Sequence, residues 1–415
     1  MCCSVVICNP GPSVESHRSQ HLAVVLRIVI ACGCMLGIWC SWKVARADYL
    51  FRQDTPESIR SAVKLAPDKP EYYIRLSQMD DAHAPALLET AVRLNQYNAQ
   101  AFTELGLRYE AEGNYPAAEK LLLHAFAVDR TYQPRWSLAN FYLRRDNLPR
   151  FWAWARSAAE MPADDMGALF DVCWRVSPNA EQIASTILTN QPEVIRQYLA
   201  FLLRKNQLSP AAATAQRLIR TSTPEVDRTQ LFSVVNQLIA ANQATAATAV
   251  WHSMIERRWV VAEKSAPNNS DFAREPLPIN FDWAIPSYPG LHSWPGPSGL
   301  ETEFTGEEPE SCTIAEQTVS LTPGNYTMQY SYHTKEIAPE TGIRWQVVDV
   351  KSGAVLANSP DLSSEADKQA SMAFSVPPET PLLRLRLAYQ RAIGTTRIAG
   401  SLVVVSTGVE AQPSA

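Results

Sequence analysis

The chain has 415 residues, 46% of them hydrophobic, which is enough for two or three domains with a core each. Its 37 Lys and Arg stand against 42 Asp and Glu, a net charge of −5. The basic residues form no cluster, which excludes a nucleic-acid partner, because that binding rests on concentrated positive charge.

The N-terminal tail spans residues 1–21. Residues 22–42 then carry a single charge, Arg27, over a length that covers roughly 30 Å of hydrocarbon as a helix. This predicts a transmembrane anchor, with Arg27 snorkelling to one interface and Trp39 and Trp42 suited to the other. Two alternatives compete with it. Ala45-Arg46-Ala47 satisfies the small-x-small rule of a signal peptidase site, and Val29-Ile30-Ala31-Cys32 resembles a lipoprotein box. Arg18 precedes the span while Lys43, Arg46 and Arg52 follow it, a count that alone would hold the soluble part in the cytoplasm. Long domains override such counts, and the Ala-x-Ala site and the C-terminal domain favour export. The expectation is a single-pass protein whose soluble part is extracytoplasmic, in the periplasm. Cys2, Cys3, Cys8, Cys32, Cys34 and Cys40 all fall in this tail and span. Cys173 and Cys312 remain, far apart, as expected buried thiols, with no disulfide framework or zinc spacing.

A first helix is expected at Pro56–Leu65, stopped by Pro67, and Pro70-Glu71-Tyr72-Tyr73 opens the next. Asp80-Asp81-Ala82-His83 reads as a compact turn. Between Asn98 and Pro134 come Ala101-Phe102, Leu105-Gly106, Tyr109, Gly113, Tyr115, Ala118, Leu122 and Ala125. Small residues sit where antiparallel helices approach, and large ones fill the space between. Ala62, Ala91, Ala125 and Ala158 recur at intervals of 29, 34 and 33 residues, and Leu138, Ala139 and Tyr142 follow Leu105, Gly106 and Tyr109 at 33. This spacing resembles the tetratricopeptide (TPR) repeat family. From Asp165 to Arg258 the helical pattern continues with proline-started segments at Pro178, Pro192 and Pro210, giving an α-solenoid over residues 48–260. The resemblance implies a concave face that binds a protein partner, lined by Gln100, Thr103, Leu107 and Glu110 from one repeat and Gln133, Trp136, Asn140 and Arg144 from the next. Trp152 and Trp154, two apart on a helix, cannot share a face; the expectation is that both pack between repeats, the alternative being that one is exposed.

Residues 261–275 read as a linker, within a stretch rich in proline, asparagine and serine. Beyond it period two replaces period 3.6: Tyr326, Met328, Tyr330 and Tyr332 alternate with polar residues, as do Ile343, Trp345 and Val347, and Leu383, Leu385, Leu387 and Tyr389. Hairpin turns are expected at Lys351-Ser352-Gly353 and at Thr322-Pro323-Gly324-Asn325. About eight strands result, an antiparallel β-sandwich over residues 276–408, followed by a disordered tail at 409–415. Val319 to Met328, with Phe281-Asp282-Trp283 upstream, resembles jelly-roll domains of the galactose-binding and carbohydrate-binding-module type. Sugar binding, which that resemblance implies, needs rings for stacking and planar polar groups for hydroxyls. Trp283, Tyr288, Trp294, Arg344, Gln346, Arg384 and Arg386 are the candidates; the competing reading puts Trp283 and Trp345 in the core and leaves the arginines to solvate a sheet face.

No His-Glu-x-x-His, phosphate-cradling glycine loop, Gly-x-Ser-x-Gly or paired Cys-x-x-Cys occurs, so no catalytic residue, metal or cofactor is expected. The fold class is multidomain α + β: a TPR-like α-solenoid followed by a jelly-roll-type antiparallel β-sandwich. The expected function is a non-catalytic, membrane-tethered scaffold that binds a protein partner through its groove, in cell-envelope or surface-polysaccharide assembly. The alternative is a carbohydrate-binding protein working through the sandwich, with the repeats as spacer. A third reading, a glycoside hydrolase, would place its carboxylates at Glu308 and Glu310.

Overall fold

The computed structural model describes residues 14–161, 163–263 and 266–413, with side chains from Val24 onward. The chain divides into two compact units, Met1–Met161 and Pro162–Ala415. The helical region expected as one array over 48–260 is therefore shared between them.

The first unit holds four antiparallel helix pairs: α1 (Val14–Arg52) with α2 (Pro56–Leu65), α3 (Pro70–Ser77) with α4 (Ala84–Leu94), α5 (Ala99–Ala111) with α6 (Tyr115–Val128), and α7 (Tyr132–Arg144) with α8 (Leu148–Ala159). Ala62, Ala91, Ala125 and Ala158 occupy the second helix of successive pairs, each fully buried. A Cβ on Gly106 would lie 3.0 Å from Leu122 Cγ, which is why the closest approach of α5 to α6 takes glycine. Side chains of Thr55, Asn98, Asn114 and Asn147 cap α2, α5, α6 and α8 by accepting backbone N–H bonds that the first helical turn leaves unsatisfied.

Helix α1 corrects one boundary. Within Val24–Arg52 lies an 18-residue window apolar enough to cross a membrane, with a mean hydropathy of 2.1 and none of that window buried. The same helix runs unbroken into the first pair, where Ala47 is fully buried and the Tyr72 hydroxyl donates to Asp48. Span and first repeat helix are thus one element, with no break between 42 and 48. Pro56–Leu65 is the second helix of its pair.

The second unit begins with α9 (Gly167–Val176), α10 (Ala180–Ile187), α11 (Pro192–Arg204), α12 (Leu208–Thr221), α13 (Pro224–Ala240) and α14 (Ala244–Glu256). One turn recurs in both units. Asp54, Gly113, Asp146, Asn206 and Asn242 follow the first helix of their pairs with φ between 52° and 83°. After four of them the next N–H reaches back to a carbonyl five residues earlier, as Asn114 to Tyr109 (2.8 Å), Asn147 to Tyr142 (2.9 Å), Gln207 to Leu202 (2.9 Å) and Gln243 to Leu238 (2.8 Å). Asn, Asp and Gly tolerate that left-handed backbone, so one local device closes these hairpins.

The strands form two antiparallel sheets. The five-stranded sheet has the order β1 (Leu291–Gly296), β2 (Gly299–Thr305), β9 (Ala399–Ala411), β4 (Gly324–Lys335), β7 (Lys368–Val376). The four-stranded sheet has the order β3 (Ser311–Ser320), β8 (Leu382–Gln390), β5 (Ile343–Asp349), β6 (Val355–Asn358). Inward residues of both sheets share one core: Phe304 of β2 meets Tyr389 of β8 edge-on at 5.9 Å, and Trp345 of β5 lies 6.3 Å from Tyr330 of β4.

Four sequence expectations are corrected. Nine strands are described, because β1 and β6 are too short to show alternation. Thr322–Asn325 is no hairpin: it carries the chain from β3 in one sheet to β4 in the other. The linker at 261–275 is packed against the sandwich, with Phe272 fully buried, its ring 4.7 Å from Trp283, and Asn268 bonded twice to Gln317. Residues 409–411, expected in a tail, belong to β9, which pairs with β4 as far as Ala411 opposite Tyr326. The segment before β1 also joins helices to sheets: Asn236 of α13 accepts from the Asn280 N–H at 2.8 Å, and Trp251 of α14 lies 6.1 Å from Phe281.

Candidate binding surfaces

In the first unit, Leu107, Glu110 and Arg144 converge on one groove of about 450 Å³, together with Ala111, Tyr115 and Arg145. The repeat offset brings Glu110 near the end of α5 alongside Arg144 at the end of α7. Arg144 Nε and Nη2 each donate to a Glu110 carboxylate oxygen at 2.7 Å. Arg145 lays its guanidinium 3.5 Å from the centre of the exposed Tyr115 ring, a cation–π contact. Leu107, 40% exposed, supplies apolar surface. The groove therefore offers an aliphatic side chain, an aromatic ring and a guanidinium with no carboxylate of its own.

Other expected groove residues go elsewhere. Gln100 lines a separate depression with Phe51, Glu71, Ile74, Arg75 and Gln78. Thr103 is buried, its hydroxyl donating to the Ala99 carbonyl at 2.9 Å, because position 103 turns toward the helix pair rather than the groove. Asn140 Nδ2 donates to the Trp136 carbonyl at 2.9 Å, so that amide is spent on its own helix. Trp136 is half-buried and stacks on Tyr132, with ring centres 6.4 Å apart. Gln133 is exposed outside the groove. Trp152 and Trp154 are both half-buried, against Phe151 and Phe126, so neither stands free. Tyr115 entered the sequence reading only as a packing residue and Arg145 not at all. The signal for Arg145 was a second arginine at a helix end, where cations favour the dipole.

In the second unit, Tyr288, Arg344, Gln346 and Arg386 line a groove of about 250 Å³ on the outer face of the four-stranded sheet. Register explains the grouping: Gln346, Arg386 and Glu316 oppose one another across β5, β8 and β3, and Arg344, Ala388 and Thr313 form the neighbouring row. Directly opposed residues share a face. Arg386 Nε donates to Glu316 at 3.0 Å, Arg384 Nε lies 3.6 Å from the same carboxylate, and Arg344 pairs with Asp361 at 3.1 Å. Arg384 does not line the groove.

Two expected ring platforms are corrected. Trp283 is 2% exposed, held in the core between Phe272 and Trp345, with its indole N–H donating to the Asn269 carbonyl at 3.0 Å. Trp294 is 38% exposed but lies on β1, in the other sheet, opposite Glu301. Sequence reasoning also missed a polar depression of about 470 Å³ on the five-stranded sheet, where Thr327, Gln329, Ser331, Gln369, Ser371 and Ser406 line its walls. Its signal was the polar half of the alternation in β4.

The loop carboxylates offered for hydrolysis are otherwise engaged. Glu308, 1% exposed, accepts from the Gly306 N–H at 3.0 Å and the Ile398 N–H at 3.3 Å. Glu310 pairs with Arg391 at 2.8 Å and Arg397 at 3.6 Å.

Neither a scan against protein-family models nor a search of curated proteins found a match. Among solved structures, the chain is similar to "Crystal structure of MamA" at 19% identity and a TM-score of 0.26, over 29% of this chain and 77% of that one. It is similar to "Crystal structure of YrrB: a TPR protein with an unusual peptide-binding site" at 13% identity and a TM-score of 0.24, over 49% and 94%. It is also similar to "CBM4 structure and function" at 11% identity and a TM-score of 0.29, over 35% and 100%.

Proposed function

We propose that this chain is a non-catalytic, membrane-tethered scaffold. Helix α1 anchors it as a single pass, the soluble part lies on the extracytoplasmic side, and TPR-like helix pairs hold a protein partner in cell-envelope or surface-polysaccharide assembly. The observation that carries the reading is the convergence of Leu107, Glu110 and Arg144, from successive pairs, with Tyr115 and Arg145 on one groove. Apolar, aromatic and cationic groups side by side match what protein interfaces use at their centres. Retention of α1 is supported by the burial of Ala47, since cleavage after Ala47 would remove it together with most of the first helix of the first pair.

The test is crosslinking in native membranes, followed by affinity capture of wild type and a Leu107→Asp, Arg145→Glu variant. The reading expects specific crosslinked proteins to disappear in the variant while its membrane association and melting temperature hold. Unchanged crosslinks would remove the groove as the working surface.

A second reading has its own observation. The convergence of Tyr288, Arg344, Gln346 and Arg386 supports a glycan-binding, jelly-roll-type sandwich for which the repeats act as a spacer.

A further inference from the structure

The groove on the four-stranded sheet has a chemistry that narrows its ligand. Its floor is Ala388, a buried small residue lying between Arg344 and Thr313 in one cross-strand row. The walls carry the guanidinium groups of Arg344 and Arg386, the amides of Gln346 and Gln390, and the ring of Tyr288. We propose that this groove binds a glycan bearing carboxylates, of the uronic-acid class, which rests on the reading of the sandwich as a glycan-binding domain.

Charge is the first reason. On this face three arginines, Arg344, Arg384 and Arg386, meet two carboxylates, Glu316 and Asp361. Glu316 is shared between Arg384 and Arg386, and Asp361 also accepts from the Gly342 N–H at 2.8 Å. Both carboxylates are thus divided among several donors, and the sheet face, counting Arg384 beside the groove, carries one more arginine than carboxylates. Arg386 reaches Glu316 through Nε, one of the five N–H donors a guanidinium carries. A carboxylate can take two parallel N–H bonds from a guanidinium, which a sugar hydroxyl cannot.

The second reason is what the groove lacks. Trp283 and Trp345 are in the core, so stacking has one half-buried ring, Tyr288, to work with. A neutral sugar would depend on that stacking, whereas an acidic one gains from the arginines.

The third reason separates glycan from protein. Among the described residues, the large exposed apolar side chains of this unit are Val226, Val261, Trp294, Val355, Ile393 and Val405, and none lines the groove. A protein interface would place such groups at its centre. Hydroxyls and amides spaced along strands at about 6.6 Å suit a polyhydroxylated chain. The net charge of −5 keeps the surplus local and opposes indiscriminate adhesion to polyanions.

The full-length chain in detergent is tested by affinity electrophoresis and calorimetry against polygalacturonate, the same polymer fully methyl-esterified, and dextran sulfate. Polygalacturonate is expected to bind, about tenfold or more tightly than the ester, and less tightly as salt rises. Arg386→Gln and Arg344→Gln should each weaken it about tenfold, with Arg386→Lys retaining part of the affinity and melting temperatures reporting the fold. Equal binding of acid and ester would overturn the charge assignment and leave glycan binding standing. Binding of neither would overturn both. Dextran sulfate bound as tightly as polygalacturonate, and insensitive to Arg386→Gln, would also overturn the proposal, because it would mark non-specific adhesion. The acid-to-ester comparison is made on the wild-type chain, so it stands even where a variant fails to fold.

Discussion

Glu110 and Arg144, at the ends of two successive first helices, meet through two parallel N–H bonds of 2.7 Å each, and this pair lines the helical groove. The Arg144 side chain is 49% exposed, so solvent screens the attraction and the pair contributes roughly 1 kcal/mol or less to folding. Glu110→Gln should therefore leave the melting temperature nearly unchanged while altering partner affinity. A loss of several degrees in calorimetry would assign the pair a structural role instead.

The approach of α5 to α6 at Gly106 supplies a stability prediction. A Cβ there would sit 3.0 Å from Leu122 Cγ and 3.3 Å from the Ala118 carbonyl oxygen. Gly106→Leu overpacks this contact and should cost about 1–3 kcal/mol in urea unfolding. A neutral result would mean that the pair can separate without loss.

Buried Asp282 gives a pH dependence. Burial raises its carboxyl pKa above the usual range, against the lowering effect of the bonds from the Leu277 and Trp283 N–H groups. A raised carboxyl binds its proton more tightly in the folded state, so its contribution is present at acid pH and is lost as pH climbs through the folded pKa. Melting curves of wild type and Asp282→Asn from pH 4 to 7 should diverge with rising pH, the variant gaining relative to wild type. A pH-independent difference would contradict this.

Cys173 and Cys312 provide a chemical check. Burial pushes the Cys173 thiol up to about 12 and the Cys312 thiol up to about 11. Since the thiolate is the reactive form, iodoacetamide at pH 8 should leave both unmodified in the native chain and label both in urea. Rapid native labelling of either, read by peptide mass, would place it nearer the surface than the structure does.

The helix pairs were legible because close packing demands small residues at fixed spacing, which Ala62, Ala91, Ala125 and Ala158 display directly. The repeated left-handed turn could also have been read, from Asp54, Asp146, Asn206 and Asn242, but lone Asn and Asp residues carry a weaker signal than glycine. The false linker arose because proline and asparagine report turns and not burial, so Phe272 gave no sign of entering the core. Half of the candidate site followed the same logic. Alternation placed Arg344, Gln346 and Arg386 on one face, while Trp294 was misgrouped because no sequence pattern says which sheet a short strand joins.

The most direct test of the scaffold reading places a photocrosslinking amino acid at Leu107, inside the groove, and separately at Lys120, exposed on α6 outside the lining of that groove. Irradiation in native membranes should give discrete protein adducts from position 107 and none from position 120. Absence of adducts at 107, or the same adducts from both positions, would contradict a partner-binding groove.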